Sequence, residues 1–378
     1  MDKSFSTSKP LSELGIWDNM IRGRRPMTFD LEITARCNNN CRHCYINLPP
    51  DDRRAIKDEL SLKEIERIAK EAVSLGAVWC LITGGEPLLR KDFPDIYLSL
   101  KKAGLLVSVF TNATLITEEH VRLFKKYPPR DIEITVYGVT DNTYGRMTRN
   151  PASFRAFRRG LGLLLKNNIN VRLKAMATRS NFTELAAIKR FCKPRTKDYF
   201  RVDPLLHLRF DRDRERNEEI KSERLSAGEI TLIDASDPER MRALKKECGK
   251  LVNAAPREAG GDNIFICDAG NNSFAVSPSG LFHICAGLWH PDCLYDLRKG
   301  SLSEAWEDFT PGILKKRSGR KEFLENCRVC PLMELCMWCP AHSYLETGRM
   351  DTLVNYFCGV ARARASNLFL SLLSMKAP

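Results

Sequence analysis

Apolar and polar positions follow two different periods over the first 200 residues, and the alternation predicts parallel βα units. Six short apolar or β-branched runs predict strands, and amphipathic stretches between them predict helices. Ser61 and Glu64 form a capping-box pattern at the start of one such helix. The predicted strands are 28–34, 77–83, 105–111, 132–137, 171–178 and 199–202. Further helices are predicted over 93–102, 117–126, 153–167 and 183–192.

The pattern changes after the sixth predicted strand. From about residue 205 to 262 the chain is polar and charged, which predicts a bridge between domains rather than another βα unit. Cysteines are dense beyond it. We therefore expect an N-terminal extension, a βα domain, a bridging segment, a cysteine-rich domain and a tail. Their predicted bounds are 1–26, 27–204, 205–262, 263–365 and 366–378.

Composition places the protein among cytoplasmic proteins. Of its 378 residues, 43% are hydrophobic and 28% are charged, as in ordinary globular proteins. There is no N-terminal signal-like apolar region and no apolar run long enough to span a bilayer, so we expect no membrane contact. Because the cytoplasm is reducing, fourteen cysteines argue for metal ligation rather than disulfides.

The net charge of +13 is concentrated in one segment. Residues 141–201 contain fifteen Lys or Arg against three acidic residues. This segment is compatible with an acidic partner such as a peptide, or with RNA, and equally with an exposed helical surface that has no partner.

Three cysteines follow the first predicted strand as C-N-N-N-C-R-H-C-Y: Cys37, Cys41 and Cys44. A cubane iron–sulfur cluster has four irons, so three thiolates on one short loop leave one iron free. A structural zinc site needs a fourth protein ligand, and His43 is poorly placed between two of the cysteines. The spacing therefore favours an open cluster over a zinc knuckle. A G-G-E-P segment, residues 84–87, directly follows the second predicted strand.

The C-x3-C-x2-C spacing with its following aromatic residue, together with G-G-E-P after the next strand, resembles the signature of radical S-adenosylmethionine (SAM) enzymes. The resemblance implies an α/β fold, a partial (β/α)6 barrel, with chemistry at the C-terminal ends of the strands. It also implies a 4Fe-4S cluster whose free iron binds SAM. A 5'-deoxyadenosyl radical from SAM would then abstract hydrogen from an unactivated C–H bond.

Residue roles follow from the same resemblance. Tyr45 would lie against the adenine, and Thr135 would lie near the ribose. Arg146 is a candidate for the SAM carboxylate, with Arg149 as a competitor. The SAM ammonium group would lie at the G-G-E-P segment, which contributes Gly84, Gly85 and Glu86.

The C-terminal cysteines resemble the SPASM domain, an extension with auxiliary iron–sulfur clusters in peptide-modifying radical SAM enzymes. One departure is that only two residues separate Cys336 from Cys339, where the family has three. The inner set has three ligands, so Cys293 or Cys248 substitutes, or the fourth position is open. A pair of zinc sites is the structural alternative. By this resemblance the outer cluster would have Cys327, Cys330, Cys336 and Cys358 as ligands, and the inner cluster Cys267, Cys285 and Cys339.

The leading functional hypothesis is modification of a ribosomally made peptide by crosslinking, epimerisation or a related oxidation. Ala286 occupies the position where sulfatase-maturing relatives have an Asp base, and no catalytic base is assigned here. A short N-terminal region predicts no peptide-docking domain, so a leader would bind a separate protein or the barrel surface. A flavodoxin-type or ferredoxin-type electron donor is also implied.

Two other hypotheses remain at this stage. The first is a radical SAM enzyme that acts on a tetrapyrrole or another small cofactor precursor. The second, from a different class, is a zinc-containing nucleic-acid-binding protein that uses the basic segment; with cluster ligation favoured, nucleic acid is the disfavoured partner.

Overall fold

The computed structural model describes residues 24–252 and 261–374, and nine of their strands form one sheet. In the sheet the strands lie in the order β6-β5-β4-β3-β2-β1-β7-β8-β9. The strands are β1 (Thr28–Thr34), β2 (Trp79–Gly84), β3 (Leu106–Thr111), β4 (Asp131–Thr135), β5 (Arg172–Met176), β6 (Arg201–Asp203), β7 (Ser273–Val276), β8 (Leu281–His283) and β9 (Tyr295–Asp296).

The first six strands are parallel, and each pairs with the next along the chain. Helices connect them, as the hydrophobic pattern predicts. This confirms the expected α/β class with a mostly parallel sheet. The helices are α1 (Arg53–Asp58), α2 (Leu62–Ser74), α3 (Phe93–Lys102), α4 (Glu118–Lys126), α5 (Asp141–Thr148), α6 (Ser153–Lys166), α7 (Leu185–Cys192), α8 (Arg214–Glu223), α9 (Ala227–Ala235), α10 (Pro238–Val252), α11 (Leu302–Glu304), α12 (Thr310–Leu314), α13 (Pro340–Thr347) and α14 (Asn355–Ser374).

Short turns complete the described chain. Two π-helical turns cover Ala305–Phe309 and Phe323–Arg328. The 3-10 turns are Pro87–Leu89, Phe182–Glu184, Pro291–Cys293 and Met333–Leu335.

Helix α5 is an element that the hydrophobic pattern missed. Its sequence contains Gly145 and several polar or β-branched residues, which are poor helix formers. Tertiary contacts stabilise it instead. At the N-terminus of α5, the Thr140 and Thr143 hydroxyls donate hydrogen bonds to the Glu184 carboxylate at 2.6 and 2.7 Å. The predicted capping box at Ser61 and Glu64, by contrast, is present at the start of α2.

Strand β1 joins the two cysteine-rich regions of the chain. It pairs in parallel with β2 on one side and with β7 on the other, with Asp30 opposite Leu81 and Ala275. Strands β8 and β9 continue the sheet in antiparallel order. The C-terminal cysteine-rich region is therefore an extension of the barrel sheet rather than a tethered module.

The two faces of β1 have different environments. Phe29, Leu31 and Ile33 are at most 1% exposed and belong to the main hydrophobic core with the covering helices. Asp30 and Glu32 point to the opposite face because side chains alternate along a strand. Polar side chains thus line the interior of the partial barrel.

Among the helices of residues 24–252 and 261–374, none has the length and apolarity needed to cross a bilayer.

Candidate functional site

A cleft of about 310 Å³ lies at the carboxyl ends of the parallel strands. All three cysteines of the loop after β1 line it. Predicted SAM-binding residues from the ends of β2 and β4 and from the loop share this lining. The predicted residues that the fold brings together here are Cys37, Cys41, Cys44, Tyr45, Gly84, Gly85 and Thr135.

Backbone hydrogen bonds to α5 fix the cysteine loop. Asn40 N–H donates to the Thr148 carbonyl at 2.9 Å, and Arg42 N–H donates to the Met147 carbonyl at 3.1 Å. From α8, the Arg216 guanidinium donates to the Cys41 carbonyl at 2.9 Å. Two helices therefore position the three thiols before any cofactor binds.

The Cys37 thiol has the surroundings of a metal-bound thiolate. Its Sγ accepts from Asn39 N–H at 3.4 Å and from the Asn112 side-chain amide at 3.8 Å. Burial raises the pKa of both Cys37 and Cys41. With a metal bound, the two N–H donors would stabilise the negative charge of the Cys37 sulfur.

The three thiols of the loop match an iron–sulfur cluster by their chemistry. Cys37, Cys41 and Cys44 line one cleft, and three thiolates are the donor set that leaves one iron of a cubane cluster free. Among residues 24–252 and 261–374, no group of three or more Cys, His, Asp or Glu is placed to hold a single metal ion.

Gly84 and Gly85 allow β2 to approach the end of β1. Gly84 has a φ of +125°, and a Cβ on either glycine would lie 2.2 Å from a backbone oxygen of Thr34 or Arg36. Gly85 N–H donates to the Thr34 carbonyl at 2.7 Å. No side chain larger than hydrogen fits this contact, which leaves both glycines at the cleft wall.

The Glu86 carboxylate lies behind that wall and does not line the cleft. It is fully buried and accepts from Thr111 Oγ1 at 2.7 Å, Asn112 N–H at 2.7 Å and Leu88 N–H at 3.1 Å. Burial raises the pKa of Glu86 to about 7, against the lowering effect of these bonds. The bonds tie the ends of β2 and β3 together, whereas direct contact with the SAM ammonium group stays a prediction.

The two arginine candidates lie outside the cleft lining. Arg146 is exposed and donates to the Ser180 carbonyl. Arg149 ends α5 in the left-handed conformation and forms an ion pair with Glu219. Neither guanidinium is directed to the cleft in this structure.

Several cleft residues were not identified from the sequence. Asp30 and Glu32 of β1 line it, as do Glu133 of β4 and Lys174 of β5. Lys174 forms an ion pair with Glu133, and its Nζ lies 4.1 Å from the centroid of the Phe110 ring. The sequence F-D-L-E-I-T of β1 could have identified Asp30 and Glu32, because a strand that is covered on both faces rarely contains acidic residues unless they have a role.

The four cysteines predicted for the outer auxiliary cluster line a second cavity of about 140 Å³. Trp338 lies in the same lining, and its backbone N–H donates to Cys336 Sγ at 3.4 Å. The fold therefore brings together Cys327, Cys330, Cys336 and Cys358.

The three cysteines predicted for the inner cluster are also neighbours. Burial raises the pKa of Cys285 to about 11, and the nearby Cys339 and Cys267 thiols add to the rise. Cys339 caps α13, where its Sγ accepts from His342 N–H at 3.4 Å. Ala286, next to Cys285, lines the main cleft.

The proposed fourth inner ligands are placed differently. Cys293 is buried in the main core, and its thiol contacts Met350 Sδ at 3.8 Å. The side chain of Cys248 lies outside the described residues. Cys80 and Cys192 are buried core residues.

The basic segment is partly neutralised by the fold. Six of its fifteen cations form ion pairs: Arg149, Arg172, Lys174, Arg179, Lys197 and Arg201. On α6, Arg155, Arg158 and Arg159 are exposed around a shallow depression. None of these three is in an ion pair with a described acidic residue, although Asp141 also lines the depression.

Residues 31–180 match the sequence profile of the Radical SAM superfamily. Over 333 residues the chain is 23% identical to the AdoMet-dependent heme synthase of Methanosarcina barkeri, covering 85% of this chain and 93% of that protein. It is 27% identical over 161 residues to the subtilosin biosynthesis protein AlbA of Bacillus subtilis, covering 42% of this chain and 35% of that protein.

The fold is similar to that of Streptococcus suis SuiB bound to its precursor peptide SuiA. The TM-score is 0.65 at 16% identity, over 93% of this chain and 82% of SuiB.

Proposed function

We propose that this radical SAM enzyme, whose residues 31–180 match the superfamily profile, abstracts hydrogen from a C–H bond of a ribosomally made peptide. Crosslinking, epimerisation or a related oxidative modification is the expected outcome. The partial sequence similarity to AlbA supports a peptide substrate.

One observation carries the proposal. The same cleft is lined by Cys37, Cys41 and Cys44 and by Ala286, which follows Cys285 in the chain. A substrate in the cleft would lie between the SAM site and the inner auxiliary site. Cys267, Cys285 and Cys339 would hold an auxiliary cluster there, which would supply the electron acceptor that an oxidative modification requires.

The bound cofactors, SAM and a 4Fe-4S cluster, would supply the 5'-deoxyadenosyl radical that abstracts the hydrogen atom. Cys37, Cys41 and Cys44 would hold that cluster, and the outer and inner cysteine groups would hold two auxiliary ones. Tyr45 and Thr135 would flank SAM from the cleft wall. Glu86 would position the Gly84-Gly85 turn through its bonds to the end of β3.

The exposed arginines of α6 would hold an acidic leader segment, either directly or with a separate leader-binding protein. An electron donor of the flavodoxin or ferredoxin type would reduce the enzyme. Binding through these arginines would weaken as salt rises, because exposed charges are screened.

A second candidate is oxidation of an iron porphyrin. The observation in its favour is that similarity to the Methanosarcina heme synthase extends over most of both chains. The acidic lining of the cleft, where Asp30 and Glu32 lack a cationic partner among the described residues, offers few partners for a substrate with several carboxylates.

The test compares the two substrates directly. Anaerobically reconstituted enzyme is incubated with SAM and reductant, with either the short peptide encoded beside its gene or Fe-coproporphyrin III. The proposal expects the peptide to lose about two hydrogens, or to take up solvent deuterium, with 5'-deoxyadenosine formed in step. Porphyrin consumption with an unchanged peptide would contradict it.

A further inference from the structure

Glu32 is a buried carboxylate with an unfilled hydrogen-bonding position. Its side chain is 0% exposed, and Oε1 accepts from the Tyr45 hydroxyl at 3.0 Å. Oε2 has no hydrogen-bond partner among the described residues, although Glu32 lines the cleft. Leaving a buried carboxylate oxygen unpaired costs free energy, which a bound ligand can recover.

Asp30 lies two residues earlier on the same face of β1 and lines the same cleft. Burial raises the pKa of Asp30 to about 6, and that of Glu32 to about 8, with Asp30 contributing to the latter. The two carboxyl groups therefore lie in the same poorly solvated part of the cleft. Each would be stabilised by the same positive charge.

The lysine in the cleft lining already has an acidic partner. Lys174 lines the cleft, but it forms an ion pair with Glu133 and lies over the Phe110 ring. Asp203 is a further acid in the lining, and its Oδ1 accepts from Leu205 N–H at 3.3 Å. Within the described cleft lining, acids outnumber lysines and arginines.

The position of the pair connects the two redox sites. Glu32 is hydrogen-bonded to Tyr45, which follows Cys44 of the first cluster. Asp30 lines the same cleft as Ala286, which follows Cys285 of the inner group. A group held by the two acids would therefore lie between these cysteine groups.

We propose that Asp30 and Glu32 form a subsite for a cationic group of the substrate, a guanidinium or a primary ammonium. In terms of the proposed peptide substrate, on which this inference rests, the group is an arginine or lysine side chain or the peptide amino terminus. The cation fills the free Oε2 position of Glu32 and neutralises Asp30. It thereby anchors the neighbouring C–H bonds between the SAM site and the inner cluster.

The subsite can be tested by binding alone, without turnover. The full-length enzyme, reconstituted with clusters and SAM but without reductant, is titrated calorimetrically with acetyl-Gly-Arg-Gly-amide. The citrulline tripeptide is the neutral control of the same shape, and the Glu tripeptide is the anionic control. The Arg tripeptide should bind at least tenfold more tightly than either control.

Substitutions of the two acidic residues test whether they are the binding site of the Arg tripeptide. Glu32→Gln should reduce Arg-tripeptide affinity at least tenfold and abolish the preference over citrulline, whereas Glu119→Gln, an exposed carboxylate on α4, should leave both unchanged. Asp30→Asn is an independent variant with the same expected direction. Equal binding of the Arg and citrulline tripeptides, or unchanged affinity in folded Glu32→Gln and Asp30→Asn, would overturn the subsite. These binding results do not depend on whether the peptide encoded beside the gene is modified. That separate experiment tests the proposed function.

Discussion

The Glu32 side chain should make the stability of the protein depend on pH. Burial raises its pKa from 4.5 to about 8 in the folded protein. Between these values the unfolded chain has released a proton that the folded protein retains, so rising pH favours unfolding. We expect the melting temperature of wild type to fall, relative to that of Glu32→Gln, as pH rises from about 4.5 to about 8.

Differential scanning calorimetry of both proteins over this range checks the expectation. Asp30 and Glu86 also titrate with raised pKa values, but they are common to both proteins. The difference between the two melting curves therefore reports Glu32 together with its interaction with Asp30. Parallel pH profiles would show that its carboxylate is solvated or paired in solution.

The loop cysteines give a second prediction at the residue scale. Replacing Cys37, Cys41 and Cys44 together by Ala should abolish reductive cleavage of SAM and leave the auxiliary clusters in place, because the two C-terminal cysteine groups are separate. The measurement is 5'-deoxyadenosine formation with dithionite, alongside iron content. Cys192→Ala, a core thiol at the end of α7, is the control that should retain cleavage. Continued 5'-deoxyadenosine production by the triple variant would refute the assignment.

At the scale of elements, the turn after β2 is sensitive to one methyl group. A Cβ on Gly85 would lie 2.2 Å from the Arg36 carbonyl, so Gly85→Ala must displace the end of β2 from β1. We expect a loss of stability above about 2 kcal/mol and SAM binding weakened at least tenfold, because Gly84 and Gly85 line the cleft.

Gly162→Ala is the matched control. Gly162 lies in α6, where an added Cβ meets nothing within 4 Å. Removing a glycine from a helix interior stabilises it by up to about 1 kcal/mol, so this variant should melt slightly higher and bind SAM normally. Denaturant unfolding and SAM titration of both variants give the comparison. Equal behaviour of the two would mean that the β1 to β2 contact is not tight in solution.

At the scale of the whole molecule, the three cysteine groups predict the iron content. Three cubane clusters correspond to about twelve irons per fully reconstituted chain. Replacing Cys327 and Cys358 by Ala should reduce this to about eight, since these two line the outer cavity only. Iron and zinc are measured together by elemental analysis. A wild-type preparation that saturates near four irons, with zinc making up the rest, would contradict the auxiliary-cluster assignment.

The amino-acid sequence by itself determined the fold class and the cysteine groups. Strands and helices follow from local periodicity, and all six predicted strands occur near their predicted places. Cluster-forming cysteines are recognisable because ligand spacing on one loop is a local property. Elements such as α5 were missed because contacts with distant groups, here Glu184, stabilise them more than their own sequence does.

Only the tertiary structure decided how the groups meet. The parallel pairing of β1 with β7 brings Asp30 close to Cys285, although 255 positions separate them in the numbering. In the folded protein the Glu86 carboxylate accepts a hydrogen bond from Asn112 N–H, directly after β3. Glu32, by contrast, lines the cleft. Burial and charge at a site depend on residues that are distant in sequence, so side-chain pairing and pKa emerge only when the chain is folded.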